Sequence, residues 1–182
     1  MSIIILAAAQ ALVPGGEAAE EEEILVTAAR IPVAQEEIGV SATLFGEARI
    51  EALGLDDAAD FLRLMPGVDV AATGARGTQT QVRVRGAEAN HTLLFVDGIR
   101  FNDPAAGNEP RFEILTADGL ARIELVRGPQ SALWGSEAIG GVIALSSPDP
   151  LGPGRTSLAA EYGGDESLRA AVGAVLGGDT LG

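Results

Sequence analysis

The chain has 182 residues, with 26 acidic side chains against 12 arginines and no lysine, for a formal net charge of −14. That balance offers no basic surface for nucleic-acid phosphates, and the absence of cysteine excludes a disulfide framework and any thiolate metal site. Aromatic residues are 4% and glycines number 24, so a single core must rest on Val, Ile, Leu and Ala between many turns; the acidity is read as solubility.

Met1 to Ala11 carries an apolar run from Ile3 to Ala9 that is too short to span a bilayer. It ends in Ala9-Gln10-Ala11, an A-x-A cleavage pattern. Residues 1–11 are therefore read as a secretory signal peptide, although no Lys or Arg precedes the apolar run. Residues 12–23 contain Pro14-Gly15-Gly16 and the acidic run Glu20 to Glu23, the composition of a disordered leader. Ile24-Leu25-Val26-Thr27-Ala28 is a short strand-former with no evident hairpin partner nearby. It fits equally a strand that adds itself to another protein's sheet edge and the first strand of the domain's own sheet.

Ser41 to Phe45 reads as a strand, and Glu47 to Leu53 as a helix closed by Gly54. A second helix opens at Leu55-Asp56, with Asp56 as its cap and Leu55 as its staple. Ala58, Phe61, Leu62 and Met65 recur at helical spacing along one apolar face, and Pro66-Gly67 ends it. Val68 to Val70 is a strand, Ala71 to Thr80 a Gly-rich loop, and Gln81 to Arg85 an alternating half-buried strand. Leu93 to Val96, turning at Asp97-Gly98 into Ile99-Arg100-Phe101, is the clearest hairpin, because Asp-Gly suits a two-residue turn with positive φ. Asn102 to Pro110 is expected to be a loop of turn-formers too polar for the core. Arg111 to Leu120 is expected to be irregular with one helical turn.

Ile123 to Val126 is a strand stopped by Arg127-Gly128-Pro129. A short segment, Ser131 to Ala138, carries the single Trp134, and Gly140-Gly141 reopen the chain into a strand from Val142 to Leu145. Ser147 to Gly154 is a Pro- and Gly-rich linker. Beyond it Leu158, Ala160 and Tyr162, then Leu168, Ala170, Val172, Ala174 and Leu176, alternate with smaller or more polar residues around a turn at Gly163-Gly164-Asp165. This is the pattern of a membrane-barrel hairpin and equally that of an ordinary amphipathic one. No catalytic constellation emerges. His91, the single histidine, lacks a carboxylate or thiolate cluster around it in sequence, so no metal site is expected. Ser131 and Ser136 have no nucleophile-elbow context, and no cofactor motif is present, so an enzyme is not expected.

Three stretches, Arg85-Gly86, Leu94-Phe95-Val96-Asp97-Gly98 and RGPQSALWGSEAIGGVI, resemble in order the signatures of the plug domain of TonB-dependent outer-membrane receptors and transporters. The resemblance covers about Glu22 to Gly182 and is strongest toward the cobalamin-transporting branch. It implies an α+β plug with a small mixed β-sheet and short helices over residues 31–150, then the first one or two strands of a truncated transmembrane β-barrel over residues 151–182. It implies that residues 24–30 hold the Ton box, with Ile24, Leu25, Val26, Thr27 and Ala28 gripped by TonB from the periplasm. Arg85 and Arg127 would latch the plug to carboxylates of a barrel wall; on the residues alone, solvent-facing arginines at strand ends fit as well. Gln79, Gln81, Glu88, Ala106 and Gly107 would meet the substrate, although loops of this composition also serve as plain connectors. Glu88 and Gly107 depart from the cobalamin pattern, so the implied ligand is cobalamin or a ferric siderophore. A plugged barrel has about 22 strands of about 10 residues each, whereas the residues after Pro150 supply about two. The chain accordingly reads as the N-terminal fragment of a transporter or the first part of a split gene, placed at the outer membrane. A stand-alone periplasmic binding or signalling module is the alternative.

Overall fold

The computed structural model describes residues 24–25, 33–34, 40–149, 155–162 and 168–175. The expected signal peptide, the acidic leader, Val26 to Ala28 of the TonB-binding strand and the turn at Gly163 to Asp165 lie outside these residues. The first two strands, β1 (Ile24–Leu25) and β2 (Val33–Ala34), pair with each other antiparallel, Ile24 opposite Ala34 and Leu25 opposite Val33. The expectation that Ile24 and Leu25 lack a nearby partner is therefore corrected, while the ladder stays apart from the central sheet.

That sheet has five strands. β10 (Arg122–Arg127) lies between β3 (Ser41–Gly46) and β11 (Gly141–Ser146), antiparallel to both. β6 (Thr92–Val96) runs parallel to β11, and β7 (Ile99–Arg100) closes the far edge antiparallel to β6. The pleat sends successive side chains to opposite faces, and the sequence uses both. One face carries Ile123, Leu125, Ile143, Leu145 and Leu94 into the main core. Against it pack helix α2 (Ala58–Arg63) with the fully buried Phe61 and Leu62, and the hairpin of β4 (Val68–Ala72) and β5 (Thr80–Val84), which contributes Val82 and Val84. Phe61 also meets Phe45 of β3 edge-on, with ring centroids 6.3 Å apart.

The other face is smaller. Leu93 and Val142 gather Ala138, Phe95 and Trp134 around them, and Trp134, at the end of the four-residue α3 (Ser131–Trp134), tilts over Phe95 at 4.6 Å. Val126 packs there with Ala42 and Leu44. Glu124 lies between Arg122 and Val126 on this same side and is 1% exposed, with Arg122 Nη1 3.2 Å from its Oε1.

The expected elements are found with small shifts. α1 (Glu47–Leu53) ends on Gly54 in the left-handed region. The turn after β6 has positive φ at Asp97 (49°) and Gly98 (78°), as a two-residue turn matching strand twist demands. Asp97 then accepts from both the backbone N–H and the hydroxyl of Ser147, fixing where the chain leaves the sheet. Gly140 and Gly141 are required by contact. A Cβ on Gly141 would stand 2.5 Å from Val126 O, and one on Gly140 2.9 Å from Ala87 Cβ.

Several expectations are corrected. The cap of α2 is Asp57 rather than Asp56, and it makes no side-chain cap bond; Asp57 instead accepts from Arg76 Nη2 at 2.8 Å, and Asp56 from Arg76 Nη1 at 3.2 Å. The first helical amide still finds a partner, because Ala58 N–H donates to Leu115 O. Ala71 and Ala72 belong to β4 rather than to the loop. The stretch from Asn102 to Pro110 enters the core: Asn102 and Pro110 are buried in β8 (Asn102–Asp103) and β9 (Glu109–Pro110). Phe112, on a 3-10 turn (Phe112–Ile114), is 1% exposed. Beyond the linker, β12 (Arg155–Tyr162) pairs antiparallel with β13 (Leu168–Val175). Leu158, Ala160 and Tyr162 fall opposite Val172, Ala170 and Leu168, so the two alternating sets are in register with each other.

Candidate functional site

Two places in the fold gather the residues that the sequence singles out. The first is built around the β8–β9 hairpin. Asn102 anchors it. Its amide donates to Thr92 O at 3.0 Å and Asn108 O at 2.9 Å, and its Oδ1 accepts from Leu94 N–H at 3.0 Å. The side chain thus does what a further strand residue would do at the edge of β6. The tip is a 3-10 turn (Pro104–Ala106) started by Asp103, whose carboxylate accepts from Ala105 N–H, and ended by Gly107 at φ 65°. Asp103 also pairs with Arg111 at 3.2 Å, and Arg111 with Glu113; these two carboxylates hold the Arg111 guanidinium above its ordinary pKa, Glu113 contributing most.

On β9, Glu109 receives two of the expected substrate residues. Gln81 Nε2 donates to both its carboxylate oxygens at 3.0 Å, and Gln79 Nε2 to Oε2 at 3.4 Å. Gln81 Oε1 in turn accepts from Arg83 at 2.9 Å. Gln81 is therefore engaged at both ends of its amide, a strut rather than an open contact, whereas Gln79 keeps its Oε1. Glu88 begins the 3-10 turn Ala89–His91, which packs against β9. Ala106 and Gly107 are at the hairpin tip. Arg100 fastens the hairpin from the other side, reaching Asn108 Oδ1 at 2.7 Å and pairing with Glu137 beyond α3. Asn102, Glu109 and Arg100 were not singled out by sequence reasoning. Their roles need pairings with residues far off in the chain, which no local pattern reports.

The second place is the arginine pair. Arg127 ends β10 and donates to Ser41 Oγ at 3.0 Å, Thr43 Oγ1 at 2.7 Å and Ala42 O at 3.2 Å. Arg85 follows β5 with φ 54° and holds its own N–H on Gly67 O. Their stems flank Gly67: a Cβ there would lie 3.7 Å from Arg85 Cγ and 3.8 Å from Arg127 Cδ. Burial, and secondarily the like charge of Arg85, push the Arg127 guanidinium below its ordinary pKa. Among the described residues neither arginine has a carboxylate within ion-pair distance. No cluster there has the three His, Cys, Asp or Glu ligands a metal needs, and His91 sits on its 3-10 turn as a single ring.

Residues 34–142, more than half of the chain, match the family model described as TonB-dependent Receptor Plug Domain. The chain belongs to the TonB-dependent receptor plug family. The plug is 34% identical over 151 residues to a protein named Vitamin B12 transporter BtuB from Vibrio vulnificus, covering 80% of this chain and 24% of that protein. It is 32% identical to the protein of the same name from Photobacterium profundum, covering 85% and 25%. The chain thus spans about a quarter of the length of these relatives. Among solved structures, the ferripyoverdine receptor of the outer membrane of Pseudomonas aeruginosa shares the fold with a TM-score of 0.71 at 21% identity, over 82% of this chain and 19% of that one. The siderophore receptor PirA from Acinetobacter baumannii matches with a TM-score of 0.56 at 26% identity, over 73% and 21%. These relatives are transporters and receptors, not enzymes.

Proposed function

We propose that this plug closes the pore of an outer-membrane β-barrel and gates energy-coupled uptake of cobalamin or a ferric siderophore, with TonB gripping Ile24 to Ala28 from the periplasm. The observation that carries the reading is the arginine pair: two adjacent guanidiniums, one of them buried, with no carboxylate partner among the described residues. A buried charge held against a like charge is costly unless an acidic partner arrives, and the wall of an enclosing barrel would supply one. Two glutamates on that wall would complete the site and seat the plug in one orientation. The ligand meets the plug at the β8–β9 hairpin, whose tip carries Ala106 and Gly107, with Gln79 held on Glu109 of β9 and Glu88 at the start of the turn that packs against β9, while Gln81 acts through Glu109. The likeness to proteins named for vitamin B12 transport and to siderophore receptors supports these two ligand classes.

The plug set ahead of a barrel of the vitamin B12 transporter type tests this reading. Cells carrying that receptor are expected to stay resistant to a large antibiotic such as vancomycin, and to become sensitive when Arg85 and Arg127 are both replaced by alanine. Sensitivity already with the unaltered arginines, or resistance retained without them, would contradict the reading.

A further inference from the structure

Residues 73–79 join β4 to β5 and end on Gln79, a proposed ligand contact. The segment has two glycines and no apolar side chain larger than alanine, and every residue in it except Thr78 is exposed. At Gly77 φ is 85°, and nothing lies within 4 Å of where a Cβ would stand. Burial therefore does not fix the orientation of the loop. Its own bonds close it as a unit: Thr73 N–H donates to Gln79 O, and both the N–H and the hydroxyl of Thr78 donate to Ala75 O. Arg76 ties that unit to the body of the plug. Its Nη1 reaches Asp56 Oδ2 at 3.2 Å, and its Nε and Nη2 reach Asp57 Oδ1 at 3.1 and 2.8 Å. The backbone behind these carboxylates is itself braced, since Ala117 N–H donates to Asp56 O, Ala58 N–H donates to Leu115 O, and Asp57 forms a bridge with Thr116. Asp57 has the extended backbone of an N-cap, yet its carboxylate is turned to Arg76 and not to the helix amides. A contact that usually stabilises a helix start is here given over to the loop.

We infer that Arg76 is a positioning residue for ligand capture: its fork on Asp56 and Asp57 sets the 73–79 loop and so presents Gln79 beside Glu109 for the ligand. The inference rests on the reading of Gln79 as a ligand contact. An exposed ion pair contributes little to global stability, and a freed Asp57 can resume capping, so the fold outlasts the loss of Arg76. The loop does not. A surface segment without a buried anchor opens at low free energy, and a contact that is in place only part of the time lowers apparent affinity by that fraction. The planar guanidinium meets two carboxylates in different directions, which the point charge of lysine cannot reproduce.

Two sets of measurements test this. In the full chain, amide hydrogen exchange at Thr73 and Thr78 reads the loop, and urea denaturation reads the fold. In the plug set ahead of a barrel of the vitamin B12 transporter type, affinity for cyanocobalamin and for ferric pyoverdine reads ligand capture. Arg76→Ala is expected to speed exchange at both amides and to weaken binding, each about fivefold, with the urea midpoint unchanged or raised. Asp56→Asn/Asp57→Asn, which keeps a capping side chain at 57, is expected to loosen the loop equally, and adding Arg76→Ala to it to change nothing further. Arg76→Lys is expected to restore only part of the loss. Unaltered exchange in Arg76→Ala, or faster exchange with unaltered affinity, would overturn the inference. A urea midpoint that falls together with affinity would also overturn it, because that marks an ordinary stabilising ion pair. Binding of neither probe by the unaltered receptor, or no loss of affinity with Gln79→Ala, removes the ligand reading on which the inference rests. A loss with Gln79→Ala but not with Arg76→Ala removes the positioning role alone.

Discussion

Arg85 and Asn102 show how differently two polar residues of this plug are employed. Arg85 donates its backbone N–H to Gly67, and its guanidinium has no acidic partner among the described residues. Arg85→Ala is therefore expected to leave the unfolding free energy of the chain within about 0.5 kcal/mol of its original value, measured by urea denaturation, while loosening the plug in its barrel. Asn102 is the converse. Its amide satisfies Leu94 N–H and the carbonyls of Thr92 and Asn108. Asn102→Ala leaves buried backbone groups unpaired, each costing about 1–3 kcal/mol, so the same experiment is expected to show a loss of at least about 2 kcal/mol. Glu109→Ala is expected to free both Gln79 and Gln81 and to change ligand affinity with little effect on unfolding; unchanged affinity in a ligand-binding assay would sever Glu109 from the ligand site. At this scale the sequence was partly legible. Arg85 and Arg127 stand in short motifs that single them out, whereas Asn102 looked like one more turn-former in NDPAAGNEP. Its burial depends on Thr92 and Leu94, which only the folded sheet brings beside it.

The elements were more legible than their partnerships. Helical spacing of Ala58, Phe61 and Leu62 and the Asp97-Gly98 turn carry local physics that tertiary packing did not override. The stop of β10 at Arg127-Gly128-Pro129 is equally local. The cap of α2 was misplaced by one residue because Asp56 and Asp57 are equivalent in composition. In the fold Arg76, about twenty positions away, pairs with both carboxylates, and the Asp57 side chain at the cap position bonds it rather than the helix amides. The β1–β2 pairing was not visible because two-residue ladders leave almost no periodic trace. One close approach makes a sharp element-level test. Gly141 lets β11 come against β10 with Val126 O where a Cβ would be, so Gly141→Ala must push the strands apart. A loss of about 1–3 kcal/mol is expected, read as a lowered denaturation midpoint. An unchanged midpoint would show that β10 and β11 do not approach as described.

At the scale of the whole molecule, a two-faced sheet supports everything else. Its larger face buries α2 and the β4–β5 hairpin, and the β8–β9 hairpin hangs from the β6 edge through Asn102. The arginine pair lies beside Gly67, where α2 gives way to β4, and the chain departs through Ser147 under the hold of Asp97. Fold class and family were readable from three ordered motifs. The identity of the ligand was not, because the proposed contacts Gln79, Ala106 and Gly107 are small or uncharged side chains that do not single out one cargo. In the proposed function these parts serve a plug moved by force applied through Ile24 to Ala28. The most direct measurement is energised uptake of labelled cobalamin or ferric siderophore by the barrel-borne receptor carrying Ile24→Pro, which removes a main-chain donor from the strand proposed to pair with TonB. Ligand binding at the original affinity with uptake fallen to the de-energised level is the expected result; uptake at the original rate would contradict the account.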